Sequence, residues 1–363
     1  MPNQEFMKYL ENTSKKVSNY ILNSDVIEFL KPEHIRESVL TYLQRPSKRL
    51  RPAILLLSCG SVGGKEENAI SAAAGVELFH TWTLVHDDVI DNDDLRRGQA
   101  TVHRLMEKRA LKDMQLSPNK AIEYGRDIAI LAGDVQHGWS TTFFIDSALK
   151  YGVEPRVVLA IIRHLQTYVL NMLLYGEVLD VQFSLQKKDI TDISEVDIIH
   201  MLWLKTGVLY EFSSIAGAMI GKNTDNMNAL EIQALRKFTG NCGIAFQLQD
   251  DILGLVGDEG LLGKPVGSDI REGKKTTILL HALSNASESQ TKRLFSIVGN
   301  ENANQSEFEE AKKLLIDLGG VQYTKELAED YITKALPNLD ILKDTTYKAL
   351  LREWADFMIN RKF

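Results

Sequence analysis

The sequence predicts an all-α protein, a large helical bundle around a deep central cavity. Apolar residues recur mainly at intervals of three and four, whereas strict alternation of apolar and polar residues is rare. Only eight prolines occur in 363 residues, and none lies between Pro155 and Pro265. Hydrophobic residues make up 44% of the chain, which is sufficient for a large core in one or two domains.

The periodicity also predicts the individual elements along the chain. The first helices are expected at 4–30, 33–44, Ala53–Ser58, Ser71–Val85, Ala121–Ser147, Arg156–Phe183, Val196–Ile220 and Leu230–Leu253. Six glycines from Gly254 to Gly273 then predict a long loop with functional potential. Further helices are expected at 275–285 and 290–297, followed by three between 308 and 363 that are broken at Gly319-Gly320 and near Pro337.

Composition restricts the class of protein and its surroundings. The net charge of −7 does not suggest a nucleic-acid partner. Cys59 and Cys242 show neither a pairing pattern nor metal-ligand spacing, which fits a reducing, cytoplasmic setting. The polar N-terminus does not resemble a signal peptide, and no uninterrupted apolar run reaches about 18 residues, so no transmembrane helix is expected.

An acidic cluster follows one of the predicted buried helices. The stretch Leu84–Thr101 (LVHDDVIDNDDLRRGQAT) places five aspartates within eight residues, followed by Arg96 and Arg97. On a helix, Asp87 and Asp91 share a face because they are four residues apart. Carboxylates concentrated at the end of an apolar helix repel each other unless a cation binds, and Mg²⁺ commonly binds carboxylates together with substrate phosphates.

A second acidic cluster lies far downstream and repeats this arrangement. Within Phe246–Lys275, Gln247, Asp250 and Asp251 are three and four residues apart on one helix face. Basic residues follow the cluster at Lys264, Arg271, Lys274 and Lys275. One acidic cluster alone could be a solvated helix end stopped by Gly98, but the repetition favours two carboxylate clusters that bind metal ions and a polyphosphate.

Other polar residues extend this interpretation. Lys48, Arg49 and Arg51 form a third basic group. Lys205-Thr206 interrupts an apolar helix, where a buried lysine requires an anionic partner unless it reaches the surface. His86 could orient a metal-binding carboxylate, or it could be an ordinary polar histidine. An apolar cavity with carboxylate clusters and basic groups at its mouth predicts an apolar substrate with a diphosphate head group. The sequence shows no Ser/His/Asp order and no reactive-cysteine setting, so no covalent nucleophile is expected.

These residues resemble the trans-isoprenyl diphosphate synthase family, of the farnesyl and geranylgeranyl diphosphate synthase type. Five separated motifs occur in the family's order: Lys48 with Arg51-Pro52, Asp87-Asp88 with Asp91 and Leu95–Gly98, Gly133-Asp134, Gly176-Glu177 with Asp180, and Gln247 with Asp250-Asp251 and Gly263-Lys264. The resemblance implies one isoprenoid synthase domain over 1–363, with a motif-bearing core at about 40–285 and C-terminal helices at 286–363. It also implies a homodimer.

The resemblance assigns roles to the matching residues. It implies metal binding by Asp87, Asp91 and Asp250, with three Mg²⁺ ions per active site. Isopentenyl diphosphate would be bound by Lys48, Arg51, His80 and Arg97. The allylic diphosphate would be bound by Arg96, Lys205, Thr206, Gln247, Lys264 and Lys274. The residues expected to be catalytic are Asp87, Asp88, Asp91, Arg96, Lys205, Asp250 and Lys264.

Three positions depart from the family pattern. Pro46-Ser47 stands where the basic motif usually has glycines, Gly254 replaces a third aspartate, and Glu177 replaces a frequent glutamine. The Gly254 position predicts a weakened contact rather than an inactive site.

The implied activity is a metal-assisted condensation of isopentenyl diphosphate with dimethylallyl, geranyl or farnesyl diphosphate. Product length is expected to depend on Trp82 and Thr83, about 6 to 8 Å from the carboxylates at 1.5 Å rise per residue, although Trp82 could instead be an ordinary core or dimer contact. Geranylgeranyl diphosphate is expected ahead of farnesyl diphosphate.

Two alternative functions are a terpene synthase and a noncatalytic subunit of a heteromeric synthase. A terpene synthase would usually lack Lys48, Arg51 and His80, and a noncatalytic subunit would usually lack one aspartate motif.

Overall fold

The computed structural model describes residues 4–185, 193–257, 267–300 and 302–361. The helices of the N-terminal half are α1 (Gln4–Leu22), α2 (Glu33–Gln44), α3 (Leu50–Ser61), α4 (Ile70–Ile90), α5 (Val102–Asp113), α6 (Pro118–Leu149), α7 (Pro155–His164) and α8 (Leu170–Leu185). Those that follow are α9 (Glu195–Leu202), α10 (Val208–Lys222), α11 (Leu230–Val256), α12 (Ser268–Glu272), α13 (Thr277–Asn285), α14 (Glu288–Ile297), α15 (Gln305–Asp317), α16 (Gly320–Ala335) and α17 (Thr346–Asn360). Short 3₁₀ segments occupy Asp25–Phe29, Glu66–Ala69 and Leu336–Ile341.

Helix α4 lies at the centre of the bundle. It is apolar on nearly every side, as expected for a helix surrounded by protein, and it packs most extensively against α6. Helix α3 packs against α10, and α11 packs against both α10 and α16. A smaller core lies beneath the C-terminal end of α11 and is formed with α12 to α15. The predicted all-α fold is therefore confirmed.

Two π-helical turns interrupt the long helices beside the candidate site. Leu165–Val169 joins α7 to α8, and Trp203–Gly207 joins α9 to α10. The second turn carries Lys205 and Thr206, and such turns often occur at functional sites. Helix α8 approaches it closely, since a Cβ added at Gly176 would lie 2.5 Å from the Lys205 backbone nitrogen. Glycine at 176 therefore allows α8 to reach the lysine.

A short hairpin, and not a helix stop at Gly98, follows α4. Strand β1 (Leu95–Arg96) pairs antiparallel with β2 (Gln99–Ala100). The two residues between them, Arg97 and Gly98, both have positive φ, at 55° and 72°. That backbone suits a tight two-residue hairpin turn. Helix α4 has already ended at Ile90, so the function of Gly98 is to reverse the chain.

One helical stretch satisfies the length and composition of a membrane span. It covers Pro155–Leu185, and a third (33%) of its most apolar window is buried inside the protein. Length and composition alone are weak evidence for a span. Glu177 and Asp180 in this stretch form ion pairs with Lys205, which ties the stretch to the helical bundle.

A cavity of about 750 Å³ opens at the N-terminal end of α4, where Ile70 is part of its wall. Its polar lining includes Lys16, Tyr20, Glu66 and Lys150. None of the site residues predicted from the sequence lines it. It therefore differs in position from the predicted central cavity, which is expected to open at the aspartates at the other end of α4.

Candidate active site

The first acidic wall is formed by the last turn of α4. The Asp87 side chain is 22% exposed and therefore partly buried, whereas Asp88 is only 1% exposed. Asp88 accepts hydrogen bonds from the Tyr42 hydroxyl and from Arg96 Nε, the latter at 2.7 and 2.9 Å. Arg96 Nη2 also lies 3.2 Å from Asp87. The hairpin thus brings Arg96 back onto the aspartates, and Asp88 holds it there.

Lys205 joins the α4 wall to α8. Its Nζ lies 2.6 Å from Asp180, 3.0 Å from Glu177 and 3.1 Å from Asp87. The side chain is 26% exposed, and these carboxylates are the anionic partners that a lysine in an apolar helix requires. Three helical segments that are distant in sequence therefore meet at a single ammonium group.

The negative charge of this wall is unevenly distributed among its carboxyls. Burial tends to raise the pKa of Asp87, but Lys205 and Arg96 outweigh it and lower that pKa to about 2. Desolvation and the adjacent Asp87 carboxylate raise the pKa of Asp91 to about 7, against the opposing charges of Lys274 and Lys205. Burial likewise raises the pKa of Glu177, while Lys205 opposes it. An additional cation here would relieve this repulsion.

A divalent metal fits the chemistry of the first wall. Within the described residues, Glu177 Oε1 is buried and accepts no hydrogen bond, while Asp87 and Asp91 present further oxygens of the type that Mg²⁺ prefers. In the described ranges, no group of three or more acidic, histidine or cysteine side chains is placed to hold a metal ion by itself. This donor set suits Mg²⁺, which commonly takes one or two carboxylates and completes its shell with water and substrate phosphate.

The second wall lies on α11. Gln247 accepts a hydrogen bond from the Thr206 hydroxyl at 3.0 Å, which links α11 to the π-helical turn. Asp250 forms an ion pair with Arg361, whose guanidinium lies 3.6 Å from the centre of the Phe246 ring. Nothing in the sequence pattern indicated Arg361, because it lies 111 residues from Asp250 and belongs to no motif.

A basic group lies between this wall and the start of α3. Arg51 Nη1 is 3.0 Å from His80 Nε2, and its guanidinium lies over the Tyr210 ring at 4.5 Å. Burial, with Arg51 and Arg97 next, holds the pKa of His80 well below its usual range. Burial, followed by Arg361 and Arg97, lowers the pKa of Lys48 to about 8, although Asp250 opposes this. Cations crowded in this way favour a bound anion.

Arg49 does not belong to this basic group. Its side chain is buried, forms an ion pair with Glu77, and donates to the Leu43 carbonyl at 2.8 Å and the Ser18 hydroxyl at 3.0 Å. The interpretation that Arg49 contributes to a phosphate site is therefore wrong, because its donors are already engaged inside the bundle. Sequence spacing could not separate it from Lys48 and Arg51.

The remaining predicted residues that the structure describes lie around these walls. Lys274 Nζ is 3.0 Å from Glu272. The positive charge of Lys274 also favours the ionised form of Asp87 and Asp91, and so lowers the pKa of both. Thr83 donates to the His80 carbonyl at 2.7 Å, while Trp82 is buried one turn before the aspartates. His86 contacts Trp82 rather than a carboxylate. Lys264 lies outside the described residues.

Comparison with known proteins agrees with this architecture. A geranylgeranyl diphosphate synthase of Saccharolobus solfataricus is 33% identical over 98% of this chain and 97% of its own length. The crystal structure of geranylgeranyl pyrophosphate synthetase from Pyrococcus horikoshii has a TM-score of 0.80 at 33% identity, covering 99% of both chains. Relatives at lower identity include geranylfarnesyl diphosphate synthases.

A third structure bears on the metal. Geranylgeranyl pyrophosphate synthase from Corynebacterium glutamicum, complexed with isoprenyl diphosphate and magnesium, has a TM-score of 0.83 at 25% identity and covers 98% of this chain and 99% of its own. The chain thus has the all-helical fold of the isoprenoid synthases. The polyprenyl synthetase family model matches residues 32–315, and the chain belongs to that family. The predicted enzyme class, a prenyltransferase, is confirmed.

Proposed function

We propose that this protein elongates dimethylallyl, geranyl and farnesyl diphosphates with isopentenyl diphosphate, and that its main product is geranylgeranyl diphosphate. The observation that carries the proposal is the position of Lys205, which contacts Asp87, Glu177 and Asp180 from two other helices. This arrangement places a cation between carboxylates, and such a site can hold a diphosphate bridged by metal ions.

The allylic diphosphate binds between the two acidic walls. Asp87, Asp91 and Asp250 would hold Mg²⁺, which we propose is bound as three ions, and the metal would stabilise charge on the departing diphosphate. Arg96 and Lys205 share this charge stabilisation because both already lie within 3.2 Å of Asp87. The remaining proposed contacts to this diphosphate are Thr206, Gln247, Lys264 and Lys274.

Isopentenyl diphosphate binds at the basic group. Arg51 and His80 are already in contact, and the mutual repulsion of Lys48, Arg97 and Arg361 supports an anionic occupant. In this position the double bond of isopentenyl diphosphate would face the allylic carbon while the C–O bond of the allylic diphosphate breaks. The bundle excludes water that would otherwise trap the allylic cation as an alcohol, and the departing diphosphate accepts the proton lost from the condensed product.

Product length is proposed to depend on Trp82, with Thr83 beside it. Trp82 is a large side chain buried one turn before Asp87, and its ring packs against Phe79 at 5.0 Å. Such a residue can end an apolar channel that starts at the carboxylates. A product of fifteen to twenty carbons is expected, because a large buried side chain near the carboxylates would stop further growth of the chain.

The protein is proposed to act as a cytoplasmic homodimer. Helices α6 to α8 expose large apolar side chains, among them Leu131 at 50%, Leu159 at 66% and Val178 at 51%. A second copy of the chain would cover such a surface. Both cysteines are free and buried, which fits a reducing compartment. Sedimentation of the purified protein would reveal whether a dimer forms, and a monomer at micromolar concentration would contradict it.

The proposed activity is tested by incubating purified protein, Mg²⁺ and radiolabelled isopentenyl diphosphate with each allylic diphosphate in turn. We expect incorporation of label into a twenty-carbon product, identified by chromatography after dephosphorylation. A protein that consumed a longer prenyl diphosphate without isopentenyl diphosphate would be a terpene synthase. No consumption of either substrate would indicate a noncatalytic subunit.

A further inference from the structure

His86 and Trp82 form a polar contact one helical turn apart on α4. Trp82 Nε1 donates to His86 Nδ1 at 3.1 Å. The second imidazole nitrogen, Nε2, lies 3.1 Å from the carbonyl oxygen of Ile130 on α6. A carbonyl can only accept, so Nε2 carries the hydrogen and Nδ1 is left to accept from the indole. One neutral tautomer therefore satisfies both contacts and links α4 to α6.

The neighbouring residues prevent the pair from moving apart. A Cβ added at Gly133 would lie 2.2 Å from His86 Nε2, so glycine is required for α6 to approach the imidazole this closely. On the other side, the His137 ring packs on Trp82 with 4.9 Å between ring centres. His137 is itself fixed by a 3.0 Å hydrogen bond between Nε2 and Gln166 Oε1. The indole is therefore held from both sides.

We propose that His86 is a positioning residue that fixes the Trp82 indole across the path of the growing hydrocarbon chain and thereby sets the length of the product. This inference rests on the proposed function, in which Trp82 limits chain growth. An aromatic ring blocks a growing chain only if it cannot rotate away. Apolar packing is non-directional, whereas the indole N–H bond requires one orientation of the ring. His86 supplies the acceptor for that bond.

The first experiment is a double-mutant cycle with product length as the readout. His86→Leu removes the acceptor, and Trp82→Phe keeps an aromatic ring but removes the donor. Each change should shift products several-fold towards chains longer than twenty carbons, and for His86→Leu the kcat of the first condensation should stay nearly unchanged. The double variant should resemble Trp82→Phe alone, because either change breaks the same bond. The control is His281→Leu. His281 lies on α13 and stacks on Tyr323 of α16, away from Trp82.

A second experiment moves His86 without changing either partner. Gly133→Ala should displace the imidazole and lengthen the product, whereas Gly138→Ala on the same helix should not, because no atom lies within 4 Å of its added Cβ. This pair keeps the inference testable even if His86→Leu fails to fold.

The outcomes separate the inference from the function on which it rests. An unchanged product from active Trp82→Ala protein would overturn the proposed floor and the inference with it. A longer product from Trp82→Ala, with normal products from His86→Leu and Gly133→Ala, would overturn only the role of His86. The role of His86 would also be overturned if adding His86→Leu to Trp82→Phe lengthened the product by as much as His86→Leu does alone.

Discussion

Arg361, the residue that follows α17, forms an ion pair with Asp250 on the second acidic wall. Its guanidinium also stacks on the Phe246 ring at 3.6 Å and donates to the Phe246 carbonyl at 3.0 Å. The Arg361 side chain is only 7% exposed, so it is packed against the second acidic wall. A positive side chain and a divalent cation cannot both engage the same Asp250 oxygen fully.

Replacing Arg361 by Gln should therefore lower the Mg²⁺ concentration needed for half-maximal activity by several-fold. The reason is that the metal must displace the Arg361 ion pair, and an ion pair to a side chain that is 38% exposed contributes up to about 1 kcal/mol, which is several-fold in affinity. Magnesium titration of the initial rate measures the effect. Arg352→Gln is the control, because Arg352 pairs with Asp340 at an exposed position. An unchanged or raised magnesium requirement would show that Arg361 does not compete with the metal.

The proposed metal ligands should be essential for turnover but dispensable for folding. Replacing Asp87, Asp91 or Asp250 by Ala should reduce kcat by more than about 100-fold, because the leaving diphosphate loses metal stabilisation. Thermal unfolding should change little. Asp94→Ala is the matched control from the same acidic run, since its side chain is 74% exposed. Near-normal turnover of any one variant at saturating Mg²⁺ would remove that residue from the proposed ligand set.

Binding of isopentenyl diphosphate should depend on the charge of Lys48. Its pKa is lowered to about 8, so the side chain is protonated below pH 8 and becomes neutral as the pH rises through that value. The KM for isopentenyl diphosphate should therefore rise between pH 7 and 9, and Lys48→Arg should flatten this rise because arginine stays charged. Exposed Lys15→Arg is the control. The same slope in the Lys48→Arg protein would indicate that another group titrates.

The two diphosphate sites should respond separately to substitution. Lys48→Ala or Arg51→Ala should raise the KM for isopentenyl diphosphate far more than the KM for the allylic substrate. Lys264→Ala should show the opposite bias. Equal effects on both constants would indicate that the basic residues have been assigned to the wrong sites.

Much of the fold could be predicted from local sequence, for identifiable reasons. The helix predicted at 33–44 is observed as Glu33–Gln44, and the one predicted from Leu230 begins there, because amphipathic spacing is a local property. The two π-helical turns were not predicted, since they shift the helical phase without changing composition. The hairpin turn at Arg97 and Gly98 was also not predicted. Both residues have the positive φ that such turns require, but φ is seen only in the structure, and arginine gives no signal for it.

The candidate site was predicted less completely because its contacts are long-range. The aspartate clusters were visible as motifs, but spacing could not show that Asp88 faces Tyr42 and Arg96. Arg49 and Arg51 are two residues apart, yet one is paired with Glu77 in the core and the other contacts His80. Which side of a helix start is buried depends on the packing of distant elements.

Arg49 should accordingly stabilise the fold rather than bind substrate. Arg49→Ala leaves Glu77 buried without its cation, which typically costs about 3–5 kcal/mol of unfolding free energy. The KM for isopentenyl diphosphate should remain close to normal at a temperature where the variant is folded. Denaturant unfolding and steady-state kinetics measure the two effects. A large rise in KM with normal stability would return Arg49 to the phosphate-binding group.

Glu177 should strengthen magnesium binding, whereas Arg361 should weaken it. Its carboxylate adds negative charge beside Asp87 and Asp91, and its Oε2 lies 3.0 Å from Lys205. Glu177→Gln keeps the shape of the side chain but removes that charge, so magnesium should bind more weakly and its half-maximal concentration should rise several-fold. Glu123→Gln, at an exposed position on α6, is the control. If Glu177→Gln instead lowered the magnesium requirement, Glu177 would serve only to hold Lys205 near the metal position.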